Sequence, residues 1–346
     1  MKNMVFGALA LLTMAGAACA DVTVGMAAPD FALPDQKNVT HKLADEKGKW
    51  VVLAFYPADM TPGCTLEARS LNQALTEFGK RGAQVFGVSV QDVASKQKFC
   101  ELEGLTYPLL ADVSKQTAKD YGVLQERGVA KRVTFLIGPD GKVAAVDRKV
   151  NTRGHAQDVL AWLDAFKSNK VELDKPVAPF TLPDAAEKSV TIGDWAADDT
   201  KATVVLFVGT ECSVVRAYAP RIKALAEGYA AKGVRVVGIN ANAGEKPARM
   251  AVGAKAYGWE FPVLKDATNA ISDRFGATKT PEAFVVDASG ILRYHGRIDD
   301  NAQEADVKSR DLQNALDAIL AGQPVTTKQT AVDGCGIRKG PPKDIQ

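Results

Sequence analysis

Four cysteines in the body of the chain carry most of its chemical potential: Cys64, Cys100, Cys212 and Cys335. Cys64 has the most informative surroundings, Tyr56-Pro57-Ala58-Asp59-Met60-Thr61-Pro62-Gly63-Cys64-Thr65-Leu66-Glu67. An apolar run, Trp50 to Phe55, precedes this stretch and reads as a buried strand. Leu66, Leu71, Ala74, Leu75 and Phe78 follow at roughly helical spacing and predict a helix over 66–80. Cys64 thus sits where a strand passes into the first turn of a helix, with Pro62 and Gly63 shaping the loop. Unpaired backbone N–H groups and the positive end of a helix dipole favour a thiolate there. Such a cysteine can titrate at roughly 3.5–7.5 instead of about 8.5. The thiolate is the nucleophile, so the expected chemistry is redox or covalent.

The elements that must position these cysteines occur twice. At 346 residues, two domains are the natural expectation. Ala28-Pro29-Asp30-Phe31-Ala32-Leu33-Pro34-Asp35 is echoed by Ala178-Pro179-Phe180-Thr181-Leu182-Pro183-Asp184, and the strand ending at Phe55 by Thr203 to Val208. Further on, Cys64 is matched by Cys212, Val85 to Val90 by Val234 to Asn240, and Thr134 to Gly141 by Ala283 to Gly290. Two units at a period near 150 residues are a domain duplication, not a solenoid. Each unit reads strand, helix, strand, helix, then two strands joined by a tight turn, then a helix. The fold class is therefore α/β, two tandem domains, each a mixed central sheet flanked by helices. The boundaries expected are 21–170 and 171–322, with an extended tail at 323–346 rich in Gly, Pro and Lys.

Residues 1–20 read as a secretory signal peptide: Lys2, an apolar stretch from Met4 to Ala18, and an A-x-A site at Ala18-Cys19-Ala20. A lipid anchor on Cys19 is the rival, and Gly16 fits that signal poorly. The expected location is periplasmic, with the mature chain starting near Asp21. Disulfides persist in such a compartment, and four cysteines allow three pairings that sequence does not choose among. A 46% apolar share and 24% charged share are ordinary for a globular chain. A net charge of +2 without a basic block argues against nucleic acid as the main partner. No other segment reaches the length of a membrane span.

Pro57, Thr61, Pro62 and Cys64 form a Pro-x-x-x-Thr-Pro-x-Cys pattern that closely resembles the peroxidatic motif of peroxiredoxins of the AhpC/TSA family. The longer string, Phe-Tyr-Pro to Thr-Pro-Gly-Cys-Thr-x-Glu, is most similar to the bacterioferritin-comigratory, or Q-type, subfamily. The resemblance implies a thioredoxin fold and a thiol-dependent peroxidase acting on hydrogen peroxide or organic hydroperoxides. Cys64 would be the peroxidatic thiolate, Thr61 a hydrogen-bond partner of the peroxide, and Pro57 a shield against water. Arg132 matches the arginine before the hairpin strand, and Glu67 the motif residue that orders the site. Many Q-type members carry a second cysteine five residues after the first, where this chain has Arg69. A subset places the resolving cysteine in the next helix, and Cys100 looks like it. The expected partners are a peroxide and a thioredoxin-like or other dithiol reductant; no cofactor or metal is implied.

The second half resembles single-cysteine, thioredoxin-like redoxin domains. Cys212 occupies the active-site position, and Thr280-Pro281 resembles the Thr-Pro of thioredoxins with its cis proline. Val215 stands where a C-x-x-C pair would have its second cysteine. Val205, Gly209 and Pro281 replace the equivalents of Pro57, Thr61 and Arg132, which argues against a second peroxidatic centre. Cys335, between Gly334 and Gly336, is a candidate partner of Cys212 in a disulfide that is either redox-active or structural. Two alternatives stay open: a thiol–disulfide oxidoreductase without peroxidase activity, or a second half that serves as a non-catalytic scaffold. His41, His155 and His295 lack metal-ligand spacing and read as structural or surface residues; Trp50, Trp162, Trp195 and Trp259 read as packing residues.

Overall fold

The computed structural model describes residues 22–340, so the leader expected at 1–20 and the last six residues lie outside the described residues. A small antiparallel hairpin comes first, β1 (Ala32–Pro34) and β2 (Thr40–Lys42). The first domain then runs β3 (Trp50–Phe55), α1 (Pro62–Gln73), α2 (Leu75–Lys80), β4 (Ala83–Ser89), α3 (Val93–Glu103) and β5 (Leu109–Ala111). It closes with α4 (Gln116–Asp120), β6 (Val133–Ile137), β7 (Val143–Asp147) and α5 (His155–Ser168). The sheet order is β5-β4-β3-β6-β7. β3, β4 and β5 are parallel, while β6 and β7 run antiparallel to them. Val51 to Phe55 are all buried because β3 is the central strand, covered on both faces.

The second domain repeats the plan. A hairpin, β8 (Phe180–Pro183) and β9 (Ser189–Ile192), leads into β10 (Ala202–Phe207), α6 (Ser213–Ala230), β11 (Val234–Asn240), α7 (Pro247–Ala256) and β12 (Val263–Lys265). Then come α8 (Ala270–Phe275), β13 (Lys279–Thr280), β14 (Glu282–Asp287), β15 (Leu292–Gly296), α9 (Asp311–Leu320) and β16 (Cys335–Gly336). Its sheet order, β12-β11-β10-β14-β15, is that of the first domain. The two domains are thus tandem thioredoxin-like folds.

Two expectations need correction. The helix predicted over 66–80 starts earlier, at Pro62, a residue suited to a first helical position because it lacks an N–H. It also breaks at Ala74 (φ −104°, ψ 7°), after which α2 buries Phe78 completely. The second correction concerns the echo of Cys64 by Cys212. The strands align Phe55 with Phe207, since each is the last residue paired with a hairpin strand, opposite Val133 and Glu282. The loop to the next helix spans 56–61 in one domain and only 208–212 in the other. Counted from the helix start, Cys212 is the N-cap and matches Thr61, while Val215 matches Cys64. By strand register Gly209, not Val205, matches Pro57. Pro281 does precede its hairpin strand as Arg132 precedes β6.

The domains meet at α5, where Trp162 lies against Gly290, and at Arg148, which pairs with Asp194 at 3.1 Å. The start of the second domain is tied to its own body by Val171 N, which donates to Arg274 O, and Asp174 N, which donates to Leu292 O, each at 2.9 Å. Gly290, at φ +77°, lies under two tryptophans: a Cβ there would come within 2.7 Å of ring atoms of both Trp162 and Trp195. Gly290→Ala combines left-handed strain with overpacking, each costing roughly 1–3 kcal/mol. We expect it to lower the thermal midpoint by several degrees in a calorimetric scan, with Asp140→Ala in the first domain's turn as a milder control.

Candidate active site

Three stretches of chain converge on Cys64. Thr61 adopts extended geometry (φ −88°, ψ 148°) as N-cap of α1, and Pro62 and Gly63 fill the first two helical positions. Cys64 is the third residue of the helix, 2% exposed. The antiparallel pairing of β3 with β6 sets Val133 opposite Phe55, so Arg132 arrives beside the strand-to-helix loop. Its Nη2 donates to Cys64 Sγ at 3.2 Å, and its Nη1 donates to Glu67 Oε2. A permanently charged fork is therefore fixed against the sulfur, and a charge-assisted contact of this kind favours a sulfur anion. Burial opposes the arginine's charge, but Glu67 and Cys64 together hold the guanidinium above its ordinary pKa.

Glu67 lies one turn beyond Cys64 and is itself buried. Its other oxygen is 3.2 Å from His155 Nδ1, close but not aligned for a hydrogen bond. His155 is fully buried at the start of α5, and its Nε2 shares a hydrogen bond of 2.8 Å with Thr134 Oγ1. Glu67 therefore orients the guanidinium, with His155 backing it and Thr134 fixing the imidazole. Thr61 is exposed, and its hydroxyl donates to Ala58 O at 3.1 Å; Pro57 is half-buried in the same loop.

A second buried polar group anchors this loop to α3. Asp59 Oδ1 accepts from Tyr56 Oη at 2.7 Å and from Lys96 Nζ at 2.9 Å, and its Oδ2 accepts from Ser95 Oγ at 2.7 Å. Lys96 Nζ also donates to Tyr56 Oη at 3.0 Å and to Ser89 Oγ. The Lys96 and Asp59 side chains are 0% and 1% exposed, so every partner is needed to offset desolvation. Burial pulls the Lys96 pKa down despite the Asp59 carboxylate. Cys100 lies one helical turn after Lys96. It is 8% exposed, a free thiol like Cys64, at the edge of an open groove of ≈ 540 Å³ lined by Gln36, Gln97, Glu101 and Leu105 among others. Burial, with Asp59 adding to it, pushes the Cys100 thiol up to about 11.

In the second domain Cys212 and Cys335 form a disulfide. Cys212 caps α6, and Val215 N lies 3.5 Å from its Sγ. The Thr280–Pro281 peptide bond is cis, and Thr280 O is 3.5 Å from Cys212 Sγ. The tail carries Cys335 there by pairing β16 with β13. A cavity of ≈ 240 Å³ borders the disulfide, lined by Glu211, Asn242, Glu245 and Arg338 among others. Beneath it, Glu282 accepts from Thr278 N and Lys279 N and contacts His295 Nε2 at 2.6 Å.

The AhpC/TSA family profile matches residues 24–146 and again 173–295. The chain belongs to the AhpC/TSA family. Its N-terminal half is similar to the peroxiredoxin Bcp of Xanthomonas campestris, 37% identical over 154 residues, or 42% of this chain and 96% of that relative. The peroxiredoxin Bcp of Escherichia coli K12 is 37% identical over 146 residues, 40% of this chain and 94% of the relative. Among solved structures, peroxidoxin BcpB of Mycobacterium tuberculosis shares 37% identity over 42% of this chain and 97% of its own, with a TM-score of 0.40. The first domain is thus a peroxiredoxin of the thiol peroxidase type, and the second half, expected to be a thioredoxin-like redoxin, is also matched by the AhpC/TSA profile.

The structure gathers Cys64, Glu67 and Arg132 in direct contact, with Thr61 and Pro57 in the loop that precedes the sulfur. Cys212, Pro281 and Cys335 form a separate group in the second domain. His155, Lys96, Asp59 and Tyr56 are site residues that sequence reasoning passed over or set aside. Among the described residues, no group of three or more His, Cys, Asp or Glu side chains is placed to hold a metal ion, and no helix is long and apolar enough to cross a membrane.

Removing the guanidinium takes away preorganised positive charge. Arg132→Met should slow oxidation of Cys64 by hydrogen peroxide about 10²–10³-fold in stopped-flow fluorescence, and Arg132→Lys by less. Cys100, shifted upward by burial, is protonated at neutral pH. Its alkylation by iodoacetamide in the reduced protein should rise about tenfold per pH unit from 7 to 10, as followed by peptide mapping; a plateau below pH 9 would contradict the burial argument.

Proposed function

We propose that the protein is an exported thiol peroxidase in which Cys64 attacks the peroxide, Cys100 resolves it, and the second domain exchanges disulfides. The observation that carries this reading is the 3.2 Å contact from Arg132 Nη2 to Cys64 Sγ at the head of α1. The Cys64 thiolate attacks the nearer peroxide oxygen. A sulfur–oxygen bond forms, the oxygen–oxygen bond breaks, and water or an alcohol leaves after taking a proton. Arg132 faces the charge that develops on both oxygens. The Thr61 hydroxyl, at the helix cap, is available to the peroxide once it turns from Ala58 O.

Cys64 is then a sulfenic acid. After the first turn of α1 unwinds, Cys100 attacks its sulfur, a disulfide forms and water leaves. An external dithiol restores the thiols. In the second domain the incoming thiolate attacks Cys335, the more exposed sulfur, and Cys212 departs as a thiolate at the head of an 18-residue helix. Periplasmic residence suits this chemistry, and the leader-like residues 1–20 support it.

The cysteines separate by experiment. With hydrogen peroxide and a dithiol, Cys64→Ser should consume no peroxide. Cys100→Ser should still form a dimedone-reactive sulfenic acid at Cys64 but yield no Cys64–Cys100 disulfide on peptide mapping. If Cys100→Ser leaves catalytic turnover at the native rate, Cys100 is not the resolving thiol.

A further inference from the structure

The end of the chain lies in the second domain as an extended strand. β16 pairs antiparallel with β13, Cys335 opposite Thr280 and Gly336 opposite Lys279. Ile337 N donates to Thr278 O at 2.9 Å, Ala243 N to Arg338 O at 2.8 Å, and Arg338 N to Asn242 Oδ1 at 2.9 Å. The tail is therefore held largely by its backbone and by one disulfide, with Ile337 packed against the core and Lys339 paired with Asp273. Backbone pairing is indifferent to side-chain identity, so another extended segment can take the same place.

One position is selective. A Cβ on Gly334 would lie closer than 3.0 Å to Thr280 O and to Thr280 C, backbone atoms that cannot swing aside. A Cβ on Gly336 would meet nothing within 4 Å. In this register the groove thus accepts a cysteine only when glycine precedes it, and it leaves room for a Cβ at the position after. The other three cysteines of the described chain follow Gly63, Phe99 and Glu211. Cys64 alone among them carries the required glycine, with Thr65 on the permissive side.

We propose that the groove holding the Gly334-Cys335 tail also receives the Gly63-Cys64 segment of an oxidised first domain, and that Cys212 attacks Cys64 there. This rests on the reading that Cys64 forms a disulfide with Cys100. An external dithiol first reduces Cys212–Cys335, and the tail leaves the groove. The Cys212 thiolate then attacks Cys64 Sγ of the Cys64–Cys100 disulfide; a Cys212–Cys64 bond forms, and Cys100 departs as a thiolate and takes a proton. Cys335 returns as a thiolate, attacks Cys212, and Cys64 leaves as the thiolate that meets the next peroxide. The first domain gains two electrons and the second loses two. The segment comes from the same chain or from a second copy, and the same sulfur bond results.

The test uses full-length Cys335→Ser, in which the last step cannot occur. One equivalent of hydrogen peroxide should yield a Cys64–Cys212 disulfide with Cys100 free on peptide mapping. On a non-reducing gel a link within one chain runs as a monomer and a link between copies as a dimer; either supports the proposal. Cys212 left free, or joined to Cys100, beside an intact Cys64–Cys100 disulfide would overturn it. A second measurement does not depend on the first domain. Thionitrobenzoate-activated peptides Gly-Gly-Cys-Gly-Ile and Gly-Ala-Cys-Gly-Ile are offered to Cys212 of Cys64→Ser/Cys335→Ser protein. The glycine peptide should react faster by on the order of tenfold or more; equal rates would overturn the proposed selectivity. If Cys212→Ser/Cys335→Ser protein forms no Cys64–Cys100 disulfide with peroxide, the first-domain reading fails, and the proposed transfer to Cys64 with it.

Discussion

The first domain depends on one guanidinium clamped between a sulfur and a carboxylate. Arg132 is 68 residues from Cys64 in the chain, and only the antiparallel register of β6 on β3 brings them together. Left alone, a long arginine side chain would sample many rotamers, and holding one costs entropy. Glu67 removes that freedom by accepting the other arm of the fork. The carboxylate also brings a negative charge near the sulfur, which opposes a thiolate. Arg132 touches the sulfur directly, while Glu67 reaches it only through the arginine.

The buried Asp59–Lys96 pair plays a complementary part. It ties the loop before α1 to the helix that carries Cys100, with Tyr56, Ser89 and Ser95 completing its hydrogen bonds. Breaking such a pair on one side leaves a buried charge and costs about 3–5 kcal/mol. The unwinding that the proposed resolution step requires is therefore confined to the segment after Asp59. Cys64 lies five residues beyond that anchor, and Cys100 lies one turn from Lys96 on the far side. The pair thus fixes one end of the moving segment while leaving the sulfur end free.

Much of this was legible in the sequence because it is local. The apolar run before the loop, the helical spacing after Leu66 and the motif from Pro57 to Glu67 all announce a cysteine where a strand passes into a helix. Arg132 was found through the family motif, since nothing nearby in the chain marks it. His155 and Lys96 left no comparable signal. Each is buried beside a carboxylate far off in the chain, Glu67 for His155 and Asp59 for Lys96, and a lone histidine or lysine on a helix reads as surface. The pairing of Cys64 with Cys212 misled for a different reason. Identity of residue type suggested equivalence, but the loop in the second domain is one residue shorter, and the helix start, not the cysteine, is what the two folds share.

That displacement accounts for the different surroundings of the two sulfurs. At the third helical position Cys64 turns into the domain, against a guanidinium. At the N-cap Cys212 faces out of the helix toward Thr280 O and the cis Thr280–Pro281 bond. There the nearest neighbour is a strand edge whose N–H and C=O groups pair with an extended chain. The arginine of the first domain would find no use at that edge, and Pro281, which cannot donate a hydrogen bond, holds its place. Less than one turn of helix separates the two positions, yet it changes the sulfur's neighbour from a charged side chain to a length of backbone. A duplicated fold can in this way place one thiol against a charged side chain and the other against a strand edge without altering the order of its strands.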